Sequence, residues 1–226
     1  MSRMLEVKAP RTIEQGSISF LHRPRVEESA DDSDMQRLLI LLSPEESAFE
    51  RLLAIGRRRL PRSSRRSDRF WGFVDLVLTA EDMSAALGTQ MNIQGHVPAA
   101  QKFAGGSYEI CMDGGDAHLR WHVAHLEPSS AAFEMQVEKD ADYILTIANP
   151  DPGAWGLHEV PDLQRQLFDE LELHVLLPTR FPATLQERFG NRHLLGLDST
   201  EWLDHPGAEI VFIGAGEAGH RAHAGK

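Results

Sequence analysis

Two apolar runs separated by a segment dense in arginine place the tightest limits on how this chain folds. The segment Arg57–Arg69 holds seven arginines and one aspartate, and it separates Leu52–Ile55 from Phe70–Leu78. The second run is rich in aromatic and β-branched residues, which favour a strand in a half-buried sheet. We therefore predict strands at Arg51–Leu60 and Phe70–Leu78, joined by the polar loop Pro61–Asp68.

Short apolar runs bounded by turn residues recur along the chain and predict a protein built mainly of strands. They are Gly16–Val26, Arg37–Ser43, Ser107–Met112, Ala117–Leu126, Tyr143–Ala148, Leu171–Leu177 and Ala208–Gly214. The run Arg37–Ser43 also fits a buried helix, because a continuous apolar run has no period that separates the two structures. Gly114-Gly115 lies between two of the runs, which is typical of a tight β-hairpin.

Two segments carry helix signals. Thr79 precedes two acidic residues, as an N-cap precedes an acidic first turn, and Gly88 is placed to end this helix in a left-handed conformation. Pro182–Phe189 predicts a short helix that ends at Gly190. The segment Gly95–Ala104 shows no periodicity, and we predict an irregular connection there.

A short sequence pattern occurs twice, 84 residues apart. Pro44, Ala48, Phe49 and Glu50 recur as Pro128, Ala132, Phe133 and Glu134, and Trp71-Gly72 recurs as Trp155-Gly156. Chance similarity is the alternative in a chain rich in alanine, glutamate and leucine. Because these identities share one offset, we predict an internal duplication whose two copies pack around one core. In the second copy Ala141–Tyr143 stand where the first has Arg57–Arg59, so the arginines have no counterpart there.

These patterns together predict an α+β, mainly β fold made of two related β-rich halves that pack as one domain, followed by a C-terminal extension of mixed structure. The predicted units are an N-terminal arm at 1–15, a first repeat at 16–105 with the arginine-rich loop and a short helix, a second repeat at 106–156, an α/β extension at 157–216 and a flexible tail at 217–226.

Charge is unevenly distributed along the chain. The whole chain carries −11, whereas Arg57–Arg69 carries +6, so the rest carries −17. Such an acidic remainder repels long polyanions, which disfavours nucleic acid as a partner. The tract Glu27–Asp34 is the most acidic part of the sequence, and it offers the arginines a partner within the chain.

The composition is that of a soluble globular protein, which we expect to be cytoplasmic. The first residues lack the apolar core of a secretory signal, and the longest aliphatic runs, such as Leu38–Leu42, are too short to span a bilayer. A single cysteine, Cys111, allows no disulfide within the chain and is compatible with a reducing compartment. We expect no membrane association.

Motifs with a known chemistry are missing or fail their structural test. Gly214–Gly219 has the glycine spacing of a dinucleotide-binding turn, but the residues after it are too few for the helix and second strand that such a site requires. Cys111 lies in an apolar run, where a small buried side chain is more frequent than a nucleophile. Glu170 and Glu172 form one of many carboxylate pairs expected in an acidic chain. We predict no cofactor.

Three histidines, His118, His122 and His125, have the spacing of one helical face and would suit a metal ion there. The hairpin prediction separates them, because side chains alternate along a strand. His118, Arg120 and His122 then share one polar face, for which solvation is the simplest expectation. His118 and His122 remain weak candidates for a metal site.

The arginine-rich segment is the strongest candidate binding site in the sequence. Guanidinium groups suit carboxylate and phosphate partners, and the adjacent Phe70 and Trp71 suit stacking on a base. The alternative is a solvated loop neutralised by the chain's own acids. The predicted ligand-binding or partner-binding residues are Arg57, Arg59, Arg62, Arg65, Arg66, Arg69 and Trp71.

Three functions follow from this candidate site. The first is a non-enzymatic binding or assembly module that engages an acidic protein or an anionic small molecule through the arginines. The second is an enzyme for a phosphorylated or carboxylated small molecule, with the arginines as an anion clamp and His118 or His122 as acid and base. The third is nucleic-acid binding, and the sequence sets no oligomeric state.

Overall fold

The computed structural model describes residues 9–24, 35–56, 60, 62–88, 90–92, 95–128, 135–151 and 179–216. Their strands are β1 (Arg11–Pro24), β2 (Met35–Pro44), β3 (Phe49–Ile55), β4 (Arg69–Thr79), β5 (Gln90–Asn92), β6 (Gly95–Val97), β7 (Gln101–Asp113), β8 (Asp116–Leu126), β9 (Asp140–Ala148), β10 (Leu194–Gly196) and β11 (Glu209–Gly214). Their helices are α1 (Ala80–Leu87), α2 (Ala183–Phe189) and a 3-10 turn at Thr200–Asp204.

Eight of these strands close into an antiparallel barrel. Their order is β9-β11-β4-β3-β2-β1-β7-β8, and pairing of β8 with β9 closes the ring. The short strand β10 pairs with Thr146–Ala148 at the end of β9, on the edge opposite β11 and beyond the residues that pair with β8. β5 and β6 form a separate hairpin. The mainly β prediction is therefore confirmed.

Alternation along the strands fills the barrel with apolar side chains. On β8, Leu119 and Trp121 point inward, and Trp121 stacks on Tyr143 of β9 with ring centroids 4.9 Å apart. Phe20 of β1 meets the edge of Trp121 at 5.3 Å, and Phe212 of β11 meets Tyr143 at 6.4 Å. These aromatic contacts join strands that are far apart in the sequence into one core.

Helix α1 covers a second apolar cluster on the outer face of β2, β3 and β4. Its buried Met83 packs with Leu52 and Phe73. The predicted N-cap is confirmed, since the Thr79 hydroxyl accepts a hydrogen bond from the backbone N–H of Asp82. The helix also ends at Gly88 as predicted, but the predicted left-handed conformation is wrong, because Gly88 is extended, with φ −66° and ψ −177°.

A C-terminal cap, residues 179–205, closes the barrel end near the β7–β8 hairpin. Trp202 is fully buried and contacts the rings of Phe181 and Phe189 at 5.0 and 5.3 Å. Asp204 of the same cap accepts a hydrogen bond of 2.7 Å from Arg51, which points into the barrel from β3. The cap and the barrel interior form one continuous hydrophobic cluster.

Most of the strand predictions that fall on described residues are confirmed, with changed ends. β1 begins at Arg11 instead of Gly16, and β3 ends at Ile55 instead of Leu60. The prediction of an irregular connection at Gly95–Ala104 is wrong, because β6 and the start of β7 lie there. The predicted strand Leu171–Leu177 lies outside the described residues.

The internal duplication remains a prediction. Both proposed copies contain a three-stranded antiparallel unit, β1–β2–β3 in the first and β7–β8–β9 in the second. At the offset of 84 residues, β2 of the first unit corresponds to β8 of the second. β9 does not correspond to β3 at this offset, because it falls on the arginine-rich loop. The second Trp-Gly pair, Trp155-Gly156, lies outside the described residues.

Within the part of the chain that the structure describes, no helix has the length and apolar character needed to cross a bilayer.

Candidate functional site

The arginine loop, residues 56–68 between β3 and β4, is fixed to the barrel by its short polar and backbone groups. Ser63 is fully buried, and its hydroxyl and backbone N–H both donate to the Glu138 carboxylate just before β9. The Ser63 carbonyl accepts a hydrogen bond of 2.9 Å from the N–H of Gly216. Leu60 inserts into the barrel core. The loop therefore covers the barrel end opposite the C-terminal cap.

The end of β11 and the arginine loop approach each other at backbone distance. A Cβ atom placed on Gly214 would lie 2.4 Å from the carbonyl oxygen of Arg65 and 2.6 Å from that of Arg62. Only glycine permits this approach. The glycines that resemble a dinucleotide motif in the sequence therefore serve to pack the loop, and Gly219 lies outside the described residues.

The predicted binding arginines within the described residues are all exposed. Arg62 and Arg65 lie on the loop, and Arg69 is the first residue of β4. These three side chains form no hydrogen bond or ion pair within the described part of the chain, whereas the Nε of Arg66 donates to the Ala215 carbonyl at 3.0 Å. Arg57 and Arg59 lie outside the described residues.

Of the two aromatic residues beside the arginines, only one is available to a partner. Trp71 is 40% exposed, and it shares the outer face of β4 with Arg69 because side chains alternate along the strand. Phe70 is buried and points to the opposite face, so the sequence prediction that it could stack on a base is wrong. The available surface therefore combines guanidinium groups that have no partner among the described residues with one indole ring.

The second candidate region is a polar stripe on the outer wall of β7, β8 and β9. It comprises Ser107, Glu109, Cys111, His118, Arg120, His122, Asp140 and Asp142. The alternation predicted for β8 is confirmed, since His118, Arg120 and His122 share the face away from the core. The expectation that this face is solvated is wrong for His118 and Arg120, which are 7% and 4% exposed.

Asp142 organises the buried half of the polar stripe. Its carboxylate lies 2.6 Å from Nδ1 of His118 and accepts a hydrogen bond of 2.9 Å from Nε of Arg120. Burial alone would raise the pKa of Asp142, but the hydrogen bonds from His118 and Arg120 hold that pKa below its ordinary value. Arg120 also donates to Asp113 at 2.5 Å. The buried half of the stripe is thus a hydrogen-bonded network centred on the Asp142 carboxylate.

Cys111 lies in this network and is not a reactive thiol. It is fully buried, opposite His118 in the strand pairing, and accepts a contact of 3.3 Å from Arg120. Burial raises the pKa of the Cys111 thiol to about 12, although the Arg120 charge acts in the other direction. This agrees with the sequence interpretation of Cys111 as a small buried side chain.

The exposed half of the polar stripe borders a groove of about 280 Å³ on the barrel wall. Its lining includes the side chains of Gln15, Glu45, Ser107, Glu109, Arg120 and His122. His122 is half-exposed, and its Nδ1 lies 2.6 Å from the carboxylate of Asp140 on β9. The groove therefore offers a carboxylate-oriented imidazole to solvent.

Sequence reasoning missed the partners of these histidines. Asp140 and Asp142 precede the apolar run Tyr143–Ala148, which predicted only a strand, and Ser107 had no motif around it. The register of β7, β8 and β9 brings these side chains beside His118 and His122. A prediction of which strands pair, and in which register, would have been needed to find them.

Other site predictions have the following outcomes. Among the described residues, no group of three or more His, Cys, Asp and Glu side chains is arranged to hold a metal ion. His125 is largely exposed and lies 3.9 Å from Glu127. The carboxylates Glu170 and Glu172 and the acidic tract Glu27–Asp34 lie outside the described residues.

No protein-family model matches the chain, and no curated protein or solved structure is significantly similar to it. The function is therefore inferred from the geometry of the described residues.

Proposed function

We propose that the protein is a binding module that engages an acidic protein through its arginine loop. The observation that carries this proposal is a set of exposed arginines, Arg62, Arg65 and Arg69, with no hydrogen bond or ion pair to another described residue, on a loop that is itself fixed to the barrel. A rigid base lowers the ordering cost that a partner would otherwise meet on binding. Guanidinium groups donate two parallel hydrogen bonds to a carboxylate, which favours Arg over Lys in such a role.

The neighbouring indole of Trp71 supports a protein partner. It lies on the same face as Arg69, and Trp and Arg are the residues that most often dominate the energy of protein interfaces. Its exposed edge gives the interface an apolar centre beside the charges. An acidic peptide with an aromatic or aliphatic residue next to its carboxylates fits both parts of this surface.

The inferred duplication also supports a role outside the scaffold for the arginine loop. At the offset of 84 residues the loop corresponds to β9, a strand of the barrel wall. If the two halves are related, the arginines occur in only one of them, so the duplicated scaffold does not require them.

Two other functions have less support. An enzyme for phosphorylated or carboxylated substrates needs the arginines and a histidine around one pocket, but His122 borders a groove lined by Glu45 and Glu109. Nucleic-acid binding is opposed by the charge of −17 outside Arg57–Arg69.

Fluorescence anisotropy with labelled ligands tests the proposal. The ligands are a glutamate-rich peptide that contains one leucine, a single-stranded oligothymidine of similar charge, and a scrambled neutral peptide. We expect the acidic peptide to bind most tightly, and we expect its affinity to fall as salt rises, since exposed charges are screened.

Two variants are compared, and each removes three positive charges, either on the arginine loop or outside it. Replacing Arg62, Arg65 and Arg69 together by Gln should weaken acidic-peptide binding at least about tenfold. A hydrogen bond to a charged group contributes about 1.5–3 kcal/mol, so the loss of one such bond is enough for this change. Replacing three exposed cations outside the loop, Arg11, Lys102 and Arg180, by Gln should leave the affinity for the acidic peptide unchanged. Equal losses of peptide affinity in both variants would show that net charge alone sets the binding. Tighter binding of the oligothymidine than of the acidic peptide would favour nucleic acid as the partner.

A further inference from the structure

Three adjacent strands place a serine, a histidine and an aspartate in one row across the outer wall of the barrel. Ser107 of β7 lies directly opposite His122 of β8, and His122 lies directly opposite Asp140 of β9. All three side chains are exposed, and Ser107 and His122 both line the groove of about 280 Å³. The row therefore lies at a concave surface that a small molecule can enter.

The orientation of the imidazole suits proton transfer from the serine. Nδ1 of His122 lies 2.6 Å from a carboxylate oxygen of Asp140, which fixes the ring and places a proton on Nδ1. Because Nδ1 faces Asp140 of β9, Nε2 is the nitrogen left for a partner on β7, which flanks β8 on its other side. The structure describes both Ser107 and His122, and it shows no hydrogen bond between them. Cross-strand Cβ atoms about 4.5–5.5 Å apart leave the hydroxyl within reach by rotation about χ1.

We propose that Ser107 is a nucleophile that hydrolyses small carboxylic esters, with His122 as its base and Asp140 as the group that orients the imidazole. The Ser107 oxygen attacks the ester carbonyl carbon while its proton passes to Nε2 of His122. The carbonyl electron pair moves to oxygen and returns as the alcohol leaves with the proton from Nε2. Water then attacks the acyl-serine by the same route, which releases the acid and restores Ser107. This activity is independent of the arginine loop.

The charges around the groove define the substrate class. Glu45 and Glu109 line it, and the charge of Arg120 is offset by Asp113 and Asp142. An anionic substrate is repelled from such a site, whereas a neutral or cationic ester is accepted.

A second row of the same type shows by contrast why Ser107 is the reactive position. Cys111 lies opposite His118, and His118 lies 2.6 Å from Asp142, so nucleophile, imidazole and carboxylate again follow one another. There the cysteine is fully buried. A substrate cannot reach that sulfur, whereas Ser107 opens to solvent.

Two measurements on the purified full-length protein test the proposal. A fluorophosphonate probe should label Ser107, as located by mass spectrometry, and p-nitrophenyl acetate should be hydrolysed above the buffer rate. Ser107→Ala should abolish both signals, and His122→Gln should lower the rate at least about 100-fold. Asp140→Asn should lower it by about tenfold or more, because it no longer holds the imidazole with a proton on Nδ1.

Control variants separate this mechanism from simple surface chemistry. Ser17 is an exposed serine opposite Ser107 on β1, and His125 is an exposed histidine of β8 without the Asp140 contact. Ser17→Ala and His125→Gln should keep the full rate. An imidazole alone cleaves activated esters slowly, so a rate that survives in Ser107→Ala overturns the proposal. So does the absence of an adduct on Ser107 in the unmodified protein.

The substrate class has its own comparison. Mono-p-nitrophenyl succinate carries a carboxylate that p-nitrophenyl acetate lacks, and it should react at least about tenfold more slowly relative to its buffer rate. Glu45→Gln should reduce this difference. A faster reaction with the anionic ester would contradict the assigned class even if Ser107 is labelled.

Discussion

Asp142 shows how much of the polar stripe rests on one buried carboxylate. Asp142 is 2% exposed, and its carboxylate contacts both His118 and Arg120. Asp142→Asn keeps the size of the side chain but leaves the buried guanidinium of Arg120 without its most buried charge partner. We expect a loss of about 3 kcal/mol in the free energy of unfolding, measured by urea denaturation with circular dichroism.

Asp140→Asn is the matched control for this variant. Asp140 also pairs with a histidine of β8, but both partners are about half-exposed. An exposed pair of this kind contributes about 0.5 kcal/mol. Equal losses in Asp142→Asn and Asp140→Asn would show that burial does not set the strength of the network.

The pH dependence of the same variants follows from the lowered pKa of Asp142. The pKa of an aspartate in the unfolded chain is about 3.9. Because the folded pKa lies below this value, the ionised carboxylate stabilises the fold above it, and this contribution is lost as the pH falls through the folded pKa. The stability difference between the wild type and Asp142→Asn should therefore be largest near neutral pH and shrink as the pH falls below about 4.

Single residues also show what sequence analysis could establish here. Alternation on β8 correctly placed His118, Arg120 and His122 on one face. The alternation could not show that His118 and Arg120 are buried, because the sequence pattern of one strand carries no information on the residues of neighbouring strands. Their partners Asp140 and Asp142 arrive through the pairing of β8 with β9.

At the scale of elements, Gly214 joins the end of β11 to the arginine loop. Its missing Cβ leaves room for the carbonyl oxygens of Arg62 and Arg65. Gly214→Ala should force these backbones apart and cost about 1–3 kcal/mol in thermal or urea unfolding. It should also weaken acidic-peptide binding, since the loop loses its position.

Gly196 provides the control for this substitution. It lies in β10, and a Cβ atom placed on it would have no neighbour within 4 Å. Gly196→Ala should stay within about 0.5 kcal/mol of the wild type. A loss of peptide binding in Gly214→Ala without any loss of stability would indicate that the loop moves freely after the change.

Elements with local signals were predictable, and elements set by distant contacts were not. The β7–β8 hairpin follows from Gly114 and Gly115, whose φ values of 61° and 99° suit a tight turn, and the N-cap of α1 follows from Thr79. Closure of the barrel depends on β1–β7 and β8–β9 pairing, and no short sequence pattern encodes those registers. The start of β7 was missed because Gly105 and Gly106 interrupt its pattern.

At the scale of the whole molecule, the barrel and the C-terminal cap share one core. Trp202 and the barrel residue Tyr143 belong to the same buried cluster, and Arg51 of β3 bonds Asp204 of the cap. Two parts with a common core and a shared ion pair should unfold together. We therefore expect the cap, which lies in the predicted C-terminal extension at 157–216, to belong to the same folding unit as the barrel.

Trp202→Ala tests this cooperativity. It removes a fully buried indole and should cost about 3–5 kcal/mol. Because the cap and barrel share a core, this loss should appear in the barrel itself: far-UV circular dichroism and the fluorescence of the remaining tryptophans, including Trp121, should shift to the same lower urea midpoint. Glu201→Ala changes an exposed neighbour and should leave that midpoint unchanged. An unchanged barrel transition in Trp202→Ala, with an earlier separate transition for the cap, would show that the cap folds on its own and that the barrel core closes without it.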